Sequence, residues 1–599
     1  GSVAVGKDAL GALTSGAGNT AVGYQAGLAI ADDSYNTVIG YQAGSVTTGD
    51  GNTYVGHFAG KGGVGADANN VGVGKDALTA ITIGVENVCI GKDAGYSITT
   101  ANQTVLIGTD AGQAITVAQG GFLSDGTVAI GLNALKYCTT GHGNLAMGAG
   151  ALHNHTTGSR NIAIGYGAMD GSGGATVLDS DDNVFMGYDA GGGTWTTAKS
   201  EFNVGIGNSV MVAAMDGALN NTAVGYGALT ALTTGDNNTV IGTGAADALT
   251  DSSYNTVAGY QALTTEIQGT HTTALGYQSG FSQNKGSSGA MYNTYVGLQS
   301  GYSNVTGMNN TYLGHSAGKG GTGNNSNNTG IGSSVMGAIT TGSGNVAVGY
   351  GTLDDTTDGA NNVAIGTGAL SADCADYNTA VGFNALNAST STLNVAIGSF
   401  AGDTITSGSS NTYIGYHADA DVATDSYQTR IGHYGALRYM TAYITMADFT
   451  NAGADNRVAS GDGSSGSLLK IPQYGFLKRV TCTVVTASGG TGVYNISIGT
   501  SAEPVGDAIT GRVELIGAGA SDGTGTTSRT QAADAAGDTN LDIVTAKYVH
   551  IWEANQATDN CAGWMAADNY LYVCHAGTGN GTNATNAVLR ITAEYFGED

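Results

Sequence analysis

One short phrase governs most of this chain. "NTAVGYQAG" begins at Asn19, "NTVIGYQAG" at Asn36 and "NTYVGHFAG" at Asn52. Aligned on the glycine that follows the apolar pair, 25 copies run from Gly6 to Gly432, most of them 16 to 18 residues apart. The longer gaps, such as Gly108 to Gly131 and Gly165 to Gly187, hold extras like "GSGGATVLDSDDN" and leave the phrase intact. Insertions of that kind belong in loops on one rim of a repeating unit. A fixed period of this length specifies a solenoid, in which each unit buries its apolar face only by stacking on its neighbours.

Counted from that glycine, positions −3 and −1 lie on one face of a strand and −2 on the other. Position −1 is Val, Ile, Leu, Met or Ala throughout, whereas −2 varies through Ala21, Val38, Tyr54, Phe185 and Arg430. β-Branched residues at −3 and −1 favour a strand, and the glycine with the following "xxAG" or "xxAL" turns it. The remainder of the period carries "TTG" or "TSG" and then Asn, as in "AITTGSGN" at Ala338. It reads as a second short strand and a second turn, with Gly and Asn supplying the left-handed backbone of the corners. Helix is excluded for "KDALGAL" or "YGALTAL", because these runs are short and glycine interrupts them. No proline precedes Pro472, which suits ladders that use every backbone N–H. The expected architecture is an all-β parallel β-roll or β-solenoid of about 25 coils. Stacked at about 4.8 Å per coil, it makes a rod of roughly 120 Å. Alanine at +3 (Ala26, Ala43, Ala59) fits a narrow interior, and the second apolar face is left to be buried against sister chains.

After "IGHYGALRYM" the phrase stops. Residues 441–599 hold both prolines and two of the three tryptophans. "GFLKRVTCTVV", "GVYNISIGTS", "KYVHIWEA", "NYLYVCHAG" and "AVLRITAEYF" read as strands between glycine-rich turns, so the second domain is expected to be an antiparallel β-sandwich, jelly-roll-like. The chain thus divides into a repeat shaft, 1–440, and a C-terminal knob, 441–599.

"NVAIG" at Asn394 and Asn362, "NIAIG" at Asn161 and "SVAVG" at Ser2 resemble the head repeat of trimeric autotransporter (YadA-like) adhesins. The "NTAVGYQAG…TTG…N" variant resembles trimeric bacteriophage tail fibres. The resemblance covers residues 1 to about 440. It implies a left-handed parallel β-roll, three chains to a rod, with −3 and −1 facing the threefold interface. The period here is longer than is usual for the autotransporters, and neither a coiled-coil stalk nor a C-terminal membrane barrel follows the repeats. A viral fibre is therefore favoured over a bacterial surface protein.

Net charge is −27, which argues against nucleic acid and anionic bilayers. No apolar run reaches the length needed to span a membrane, and the chain opens inside a repeat, as a piece of a longer protein would. Of 46 acidic residues only eight are Glu, so the acids are mainly turn-forming Asp. They suit a soluble surface, with calcium bridging between loops such as "ADADVATD" as the alternative. No nucleophile elbow, phosphate loop or zinc-protease motif occurs, and the rod holds only Glu86, Glu201 and Glu266, so no facing glutamates suggest a glycosidase. The expectation is a protein without catalysis or cofactor. His153 and His155 have metal-like H-x-H spacing, which on a strand would put both imidazoles on one side, but they fall in an expected loop. Cys89 sits at a packing position, and Cys561 and Cys574 flank a strand and could pair.

Tyrosine recurs at +1 (Tyr24, Tyr41, Tyr166, Tyr188, Tyr226, Tyr260, Tyr277, Tyr350, Tyr416). Such a stacked column either covers the edge of the roll or grips sugar faces. In the knob, Trp552, Trp564, Tyr570 and Tyr572 are residue types that dominate recognition hot spots, although they could equally fill a sandwich core. The knob itself could recognise a target or cap the last coil's open edge. The expected function is a homotrimeric virion appendage that joins other tail components and attaches to a glycan or protein on the host-cell surface. The rival readings are a bacterial cell-surface adhesin, a structural filament and an ice-binding solenoid.

Overall fold

The computed structural model describes residues 1–432 apart from 47, 64, 117–125, 173–179, 196–197, 321 and 421, and beyond 432 the backbone of eight strands. The chain forms two compact units, Gly1–Ile331 and Gly332–Asp599. Each of the 25 glycines of the phrase is preceded by a three-residue strand, nineteen in the first unit and six in the second, from Val3–Val5 to Thr429–Ile431. Within each unit successive strands pair in parallel and in strict register, −3 on −3 and −1 on −1, as in Thr20↔Thr37 and Val22↔Ile39 or Val363↔Thr379 and Ile365↔Val381. No helix occurs among the described residues. The expected parallel β-solenoid is correct.

The expectation of two strands per coil is not. Among the described residues of the far side only Gly269–Thr270 pairs with Gly289–Ala290, beside two isolated bridges. The "TTG" corner uses its amides differently from a ladder. The N–H groups of Thr82, Ile83 and Gly84 all converge on the carbonyl of Thr99, at 2.9, 3.2 and 3.3 Å. The Thr82 hydroxyl donates to the same oxygen at 2.9 Å, and the pattern recurs from Thr340 to Thr357. Three consecutive donors on one acceptor require a tightly curled backbone, so a threonine column replaces the second strand.

The interior is narrow and its filling is correlated within each coil. From the second coil on, position −2 points inward and is buried, as is alanine at +3. At +4 the sequence carries either Gly or a larger residue, and in many coils the choice complements −2, although Ala21, Ala274 and Ala396 sit with Gly27, Gly280 and Gly402. Small Ala129, Ala146 and Ala223 are accompanied by Leu135, Leu152 and Leu229, all buried. Large Tyr54, Tyr295 and Tyr312 are accompanied by Gly60, Gly301 and Gly318, where an added Cβ would lie 2.3, 2.2 and 2.3 Å from the ring. Compensation also runs between coils, since Tyr54 pairs with Gly72 and Phe185 with Gly205. In these coils the exchange limits the variation in core volume, as close packing favours.

A further column holds the coils together. The asparagine at −4 is buried, and its side chain bridges coils: Asn36 N–H donates to Asn19 Oδ1 at 2.9 Å, Asn52 N–H to Asn36 Oδ1 at 2.9 Å, and Asn70 N–H to Asn52 Oδ1 at 2.9 Å. The left-handed asparagines expected at the corners stand one residue earlier, at −5 (Asn69, Asn237, Asn361). The −5, +2 and +4 positions adopt positive φ repeatedly (Tyr35 at 64°, Gln42 at 52°, Leu78 at 53°). No β-branched residue occurs among them, in keeping with the steric cost of that backbone for Val, Ile and Thr.

Beyond the coils, all five of the strand-like segments are strands, in Gly475–Thr486, Tyr494–Ser501, Tyr548–Glu553, Tyr570–Gly577 and Val588–Gly597, with Leu437–Thr445, Asn456–Ala459 and Val513–Ile516 in addition. They form two four-stranded antiparallel sheets. In the first, Val588–Gly597 lies between Leu437–Thr445 and Gly475–Thr486, which also pairs with Tyr548–Glu553. In the second, Tyr570–Gly577 lies between Asn456–Ala459 and Tyr494–Ser501, which also pairs with Val513–Ile516.

Candidate functional site

Because side chains alternate along an extended stretch, −5, −3, −1 and +1 all point away from the core that −4 and −2 enter. One coil shows this directly: Tyr35, Thr37, Ile39 and Tyr41 face out, while Asn36 and Val38 are buried. The −1 column is exposed along both units, at Val22, Ile39, Ile90, Met147, Met186, Ile206, Ile241 and Leu313 in the first and Ile365, Ile397 and Ile431 in the second. Ile397 is 42% exposed. Every −1 residue is Val, Ile, Leu, Met or Ala, every −3 residue is Val, Ile, Leu or Thr, and none is charged in a chain of net charge −27. Scattered apolar side chains on a surface need no explanation, but a continuous column does. This sheet face is the candidate functional site.

Tyrosines at +1 border that face. Tyr24 and Tyr41 stack with centroids 5.1 Å apart and planes 17° from parallel, and His57 continues the stack at 5.3 Å. Tyr166 stacks on Tyr188 at 5.5 Å and Tyr260 on Tyr277 at 5.4 Å. Beside them, +2 glutamines form a side-chain ladder, Gln278 to Gln261 at 3.1 Å and Gln299 to Gln278 at 3.1 Å. The column is broken into short runs, because Lys75, Lys92 and Thr109 take the +1 position elsewhere. Tyr226 and Tyr350 have no aromatic neighbour among the described residues, and Tyr416 meets Phe400 and His417 edge-on. Where the rings stack, their faces cover one another and their edges meet solvent. A sugar would find an open ring face only at the end of a run.

His153 and His155 do not share a side. They lie in a turn, not on a strand. His153 is at the surface beside Tyr137, where burial first and then the nearby Lys136 hold its pKa below the usual histidine value. His155 is buried, 3.2 Å from Ser172 Oγ through Nδ1 and 3.2 Å from Asn161 Nδ2 through Nε2. Among the described residues no group of three or more His, Cys, Asp or Glu side chains is placed to hold a metal ion. In "ADADVATD", Asp419 accepts the amide N–H groups of Ala420 at 2.8 Å and Thr404 at 3.2 Å. Burial and the neighbouring Asp403 push its pKa up to about 6. Cys89 is buried as expected for −2, whereas Cys561 lies outside the described residues.

In the C-terminal region Trp552 stands on one sheet, opposite Val480, and Tyr570 and Tyr572 on the other, opposite Ser501 and Gly499. Trp564 lies outside the described residues.

Sequence reasoning missed three buried polar elements. The −4 asparagine ladder was visible as a repeated letter, but its role was assigned to corners. Glu266 is fully buried at +7, where other coils have Ile30, Ile81 and Ile98. Its carboxylate accepts the amides of Ile267, Gln268 and Gly269 at 3.0, 3.1 and 2.7 Å and the Gln283 side chain at 2.9 Å. Asp67, also buried, bonds to Tyr54. No family model matches the chain, and neither curated proteins nor solved structures include a match to it.

Proposed function

We propose that this chain is the subunit of a homotrimeric, non-enzymatic fibre, a bacteriophage tail fibre that attaches the virion to a receptor on the host-cell surface. The observation that carries the reading is the uncharged −3/−1 face, repeated in 25 strands and left exposed by the single chain. Burial against two sister chains would remove that face from water. Beyond the first coil each −1 side chain is less than half exposed in the single chain, so it would gain under half of the roughly 1.5–3 kcal/mol that full burial of an aliphatic side chain is worth. The two C-terminal sheets pack as a β-sandwich knob that recognises a host glycan or protein, while the near-identical coils supply length and stiffness. A bacterial surface adhesin would use the same trimer.

Ice binding is the reading that the threonines favour, since −3 is Thr in seven successive paired strands, Thr222 to Thr329. It is the weaker one. Tyr226 and Tyr260 on one side of the column, and Tyr254 and Tyr292 on the other, stand well out into solvent, so a flat ice plane would meet rings before hydroxyls.

Light scattering at nanomolar concentration is expected to give roughly three times the chain mass of 59.5 kDa. Ile397→Asp, at a site exposed in the single chain, is expected to leave each coil folded but to disrupt assembly, because an unpaired charge in the interface costs several kcal/mol per copy. A stable wild-type monomer, or an Ile397→Asp protein that assembles and melts like wild type, would show that this face meets solvent. Attachment is tested by competition: whole fibre added to host cells is expected to block virion adsorption.

A further inference from the structure

The coil built on Tyr54 has a near copy elsewhere in the first unit. Residues 52–74, "NTYVGHFAGKGGVGADANNVGVG", align without a gap on 310–332, "NTYLGHSAGKGGTGNNSNNTGIG". Each copy has an inward tyrosine whose hydroxyl reaches the side chain thirteen residues on. Tyr54 OH lies 2.5 Å from Asp67 Oδ2, and Tyr312 OH lies 2.9 Å from Asn325 Oδ1. At the tyrosine's partner the copies therefore differ by a carboxyl against an amide, beside two flanking changes, Ala66 to Asn324 and Ala68 to Ser326.

Asp67 is completely buried and forms no ion pair among the described residues. Among the described residues its second oxygen, Oδ1, has no hydrogen-bond partner, and neither has the corresponding Nδ2 of Asn325. That spot solvates neither an acceptor nor a donor, so a neutral carboxyl suits it and a carboxylate does not. We propose that Asp67 and Tyr54 form a proton-operated latch, in which a protonated Asp67 fastens the 65–70 corner to the core and its ionisation loosens that corner.

The groups acting on Asp67 agree with this. Burial is the largest influence and drives its pKa up to about 6; the Tyr54 hydroxyl and the nearby backbone N–H groups of Asp67 and Thr48 pull it part of the way back, and the carboxylate of Asp33 pushes it up again. Burial first, and then Asp67, also holds the Tyr54 phenol well above its usual range, so Tyr54 stays a donor throughout. The corner is tied to the latch through Asn52, whose Nδ2 donates to the Asp67 carbonyl at 3.0 Å and whose Oδ1 accepts from Asn70 N–H at 2.9 Å. The sign follows from a folded-state pKa above the unfolded one. The contribution to stability is complete below about pH 4 and is lost as pH rises through about 6.

The test is native-state hydrogen exchange of full-length protein between pH 4 and 8, corrected for intrinsic exchange chemistry. Protection of the Asn69 and Asn70 amides is expected to fall on the order of 100-fold across that range, the two decades that the pKa displacement allows. The Asn327 and Asn328 amides of the second copy are expected to stay level. Asp67→Asn should flatten the response of the first corner, and Asn325→Asp should install it in the second. Equal pH response in the two wild-type corners, or a fall that survives in Asp67→Asn, would overturn the latch. Because Asn325→Asp adds the acid to a corner that folds without one, the test stands even if Asp67→Asn folds poorly.

Discussion

Replacing Gly165 by alanine is expected to destabilise the coils around it by at least about 4 kcal/mol, near the upper end for a single substitution. Two effects add. The residue sits at φ +141°, which an L side chain rarely adopts, and a Cβ there would lie 2.0 Å from the carbonyl oxygen of Gly187 in the next coil. Strain of that backbone alone costs roughly 1–3 kcal/mol. The overlap is with main chain, so it is relieved only by prising two coils apart, which lengthens the hydrogen bonds flanking them. Gly286→Ala separates the terms, because Gly286 has φ +66° and no atom within 4 Å of the added Cβ. Its expected cost is only about 1–2 kcal/mol. Chemical denaturation followed by circular dichroism compares the two. If Gly165→Ala costs no more than Gly286→Ala, the glycine column is maintained by backbone conformation alone and the close approach of coils is unimportant.

The period and the strand of each coil were legible in the sequence because both follow from side-chain identity at fixed spacing. Val, Ile or Thr at −3, an aliphatic residue at −1 and glycine at 0 leave few backbones open. The far side was not legible. "TTG" is as compatible with a strand as with a curled corner, and the distinction lies in three amides converging on Thr99 O, which side-chain pattern does not encode. A subtler signal was present but unread: "AG" after "TYV" and "AL" after "NVG" record the exchange of volume between −2 and +4. The avoidance of β-branched residues at −5, +2 and +4 likewise marked the left-handed positions.

Legibility of the site follows the same division. The −3/−1 face could be read because alternation along a strand is a geometric necessity, and the structure places it outward as the alternation requires. The +1 tyrosines were located correctly, but their grouping into short stacks depends on where Lys75, Lys92 and Thr109 interrupt them. The H-x-H spacing carries a metal argument only on a strand, and the expected loop is what the structure has there. His153 and His155 are in a turn, which sends one ring out and the other in. Glu266 and Asp67 were opaque for a different reason. A buried acid is announced by the groups that satisfy it, and these are backbone amides for Glu266 and a tyrosine thirteen residues away for Asp67, neither of which is encoded as a motif.

The second large effect is expected in the asparagine ladder, at Asn203. Its Oδ1 accepts the Asn221 N–H and Asn221 Nδ2, both at 3.0 Å, and its Nδ2 donates to Asn183 Oδ1 at 3.2 Å and to the Ala218 carbonyl at 2.8 Å. All four partners are buried between coils. Asn203→Leu keeps roughly the same volume but strips the Asn221 N–H and the Ala218 carbonyl of their partner, at about 1–3 kcal/mol for each. Asn183 Oδ1 keeps the Asn203 N–H at 3.0 Å and Asn221 Nδ2 keeps the Gly235 carbonyl at 2.8 Å. A total on the order of 2–6 kcal/mol is expected, since relaxation toward water is blocked on both sides. Asn203→Asp should be as damaging, because it retains the acceptor yet sets a buried charge against Asn183 Oδ1 and the Ala218 carbonyl. Asn203→Thr should be milder, for the ladder already contains that solution: Thr104 replaces the asparagine, and its N–H and hydroxyl meet Asn87 Oδ1 at 3.1 and 2.8 Å. In a solenoid each coil is stabilised mainly by its two neighbours, so hydrogen exchange after Asn203→Leu should show lost protection centred on the coils of Asn183 and Asn221 and fading with distance along the first unit. Equal stability of the Leu and Thr variants would mean that burial of volume, and not hydrogen bonding, is what the −4 position contributes.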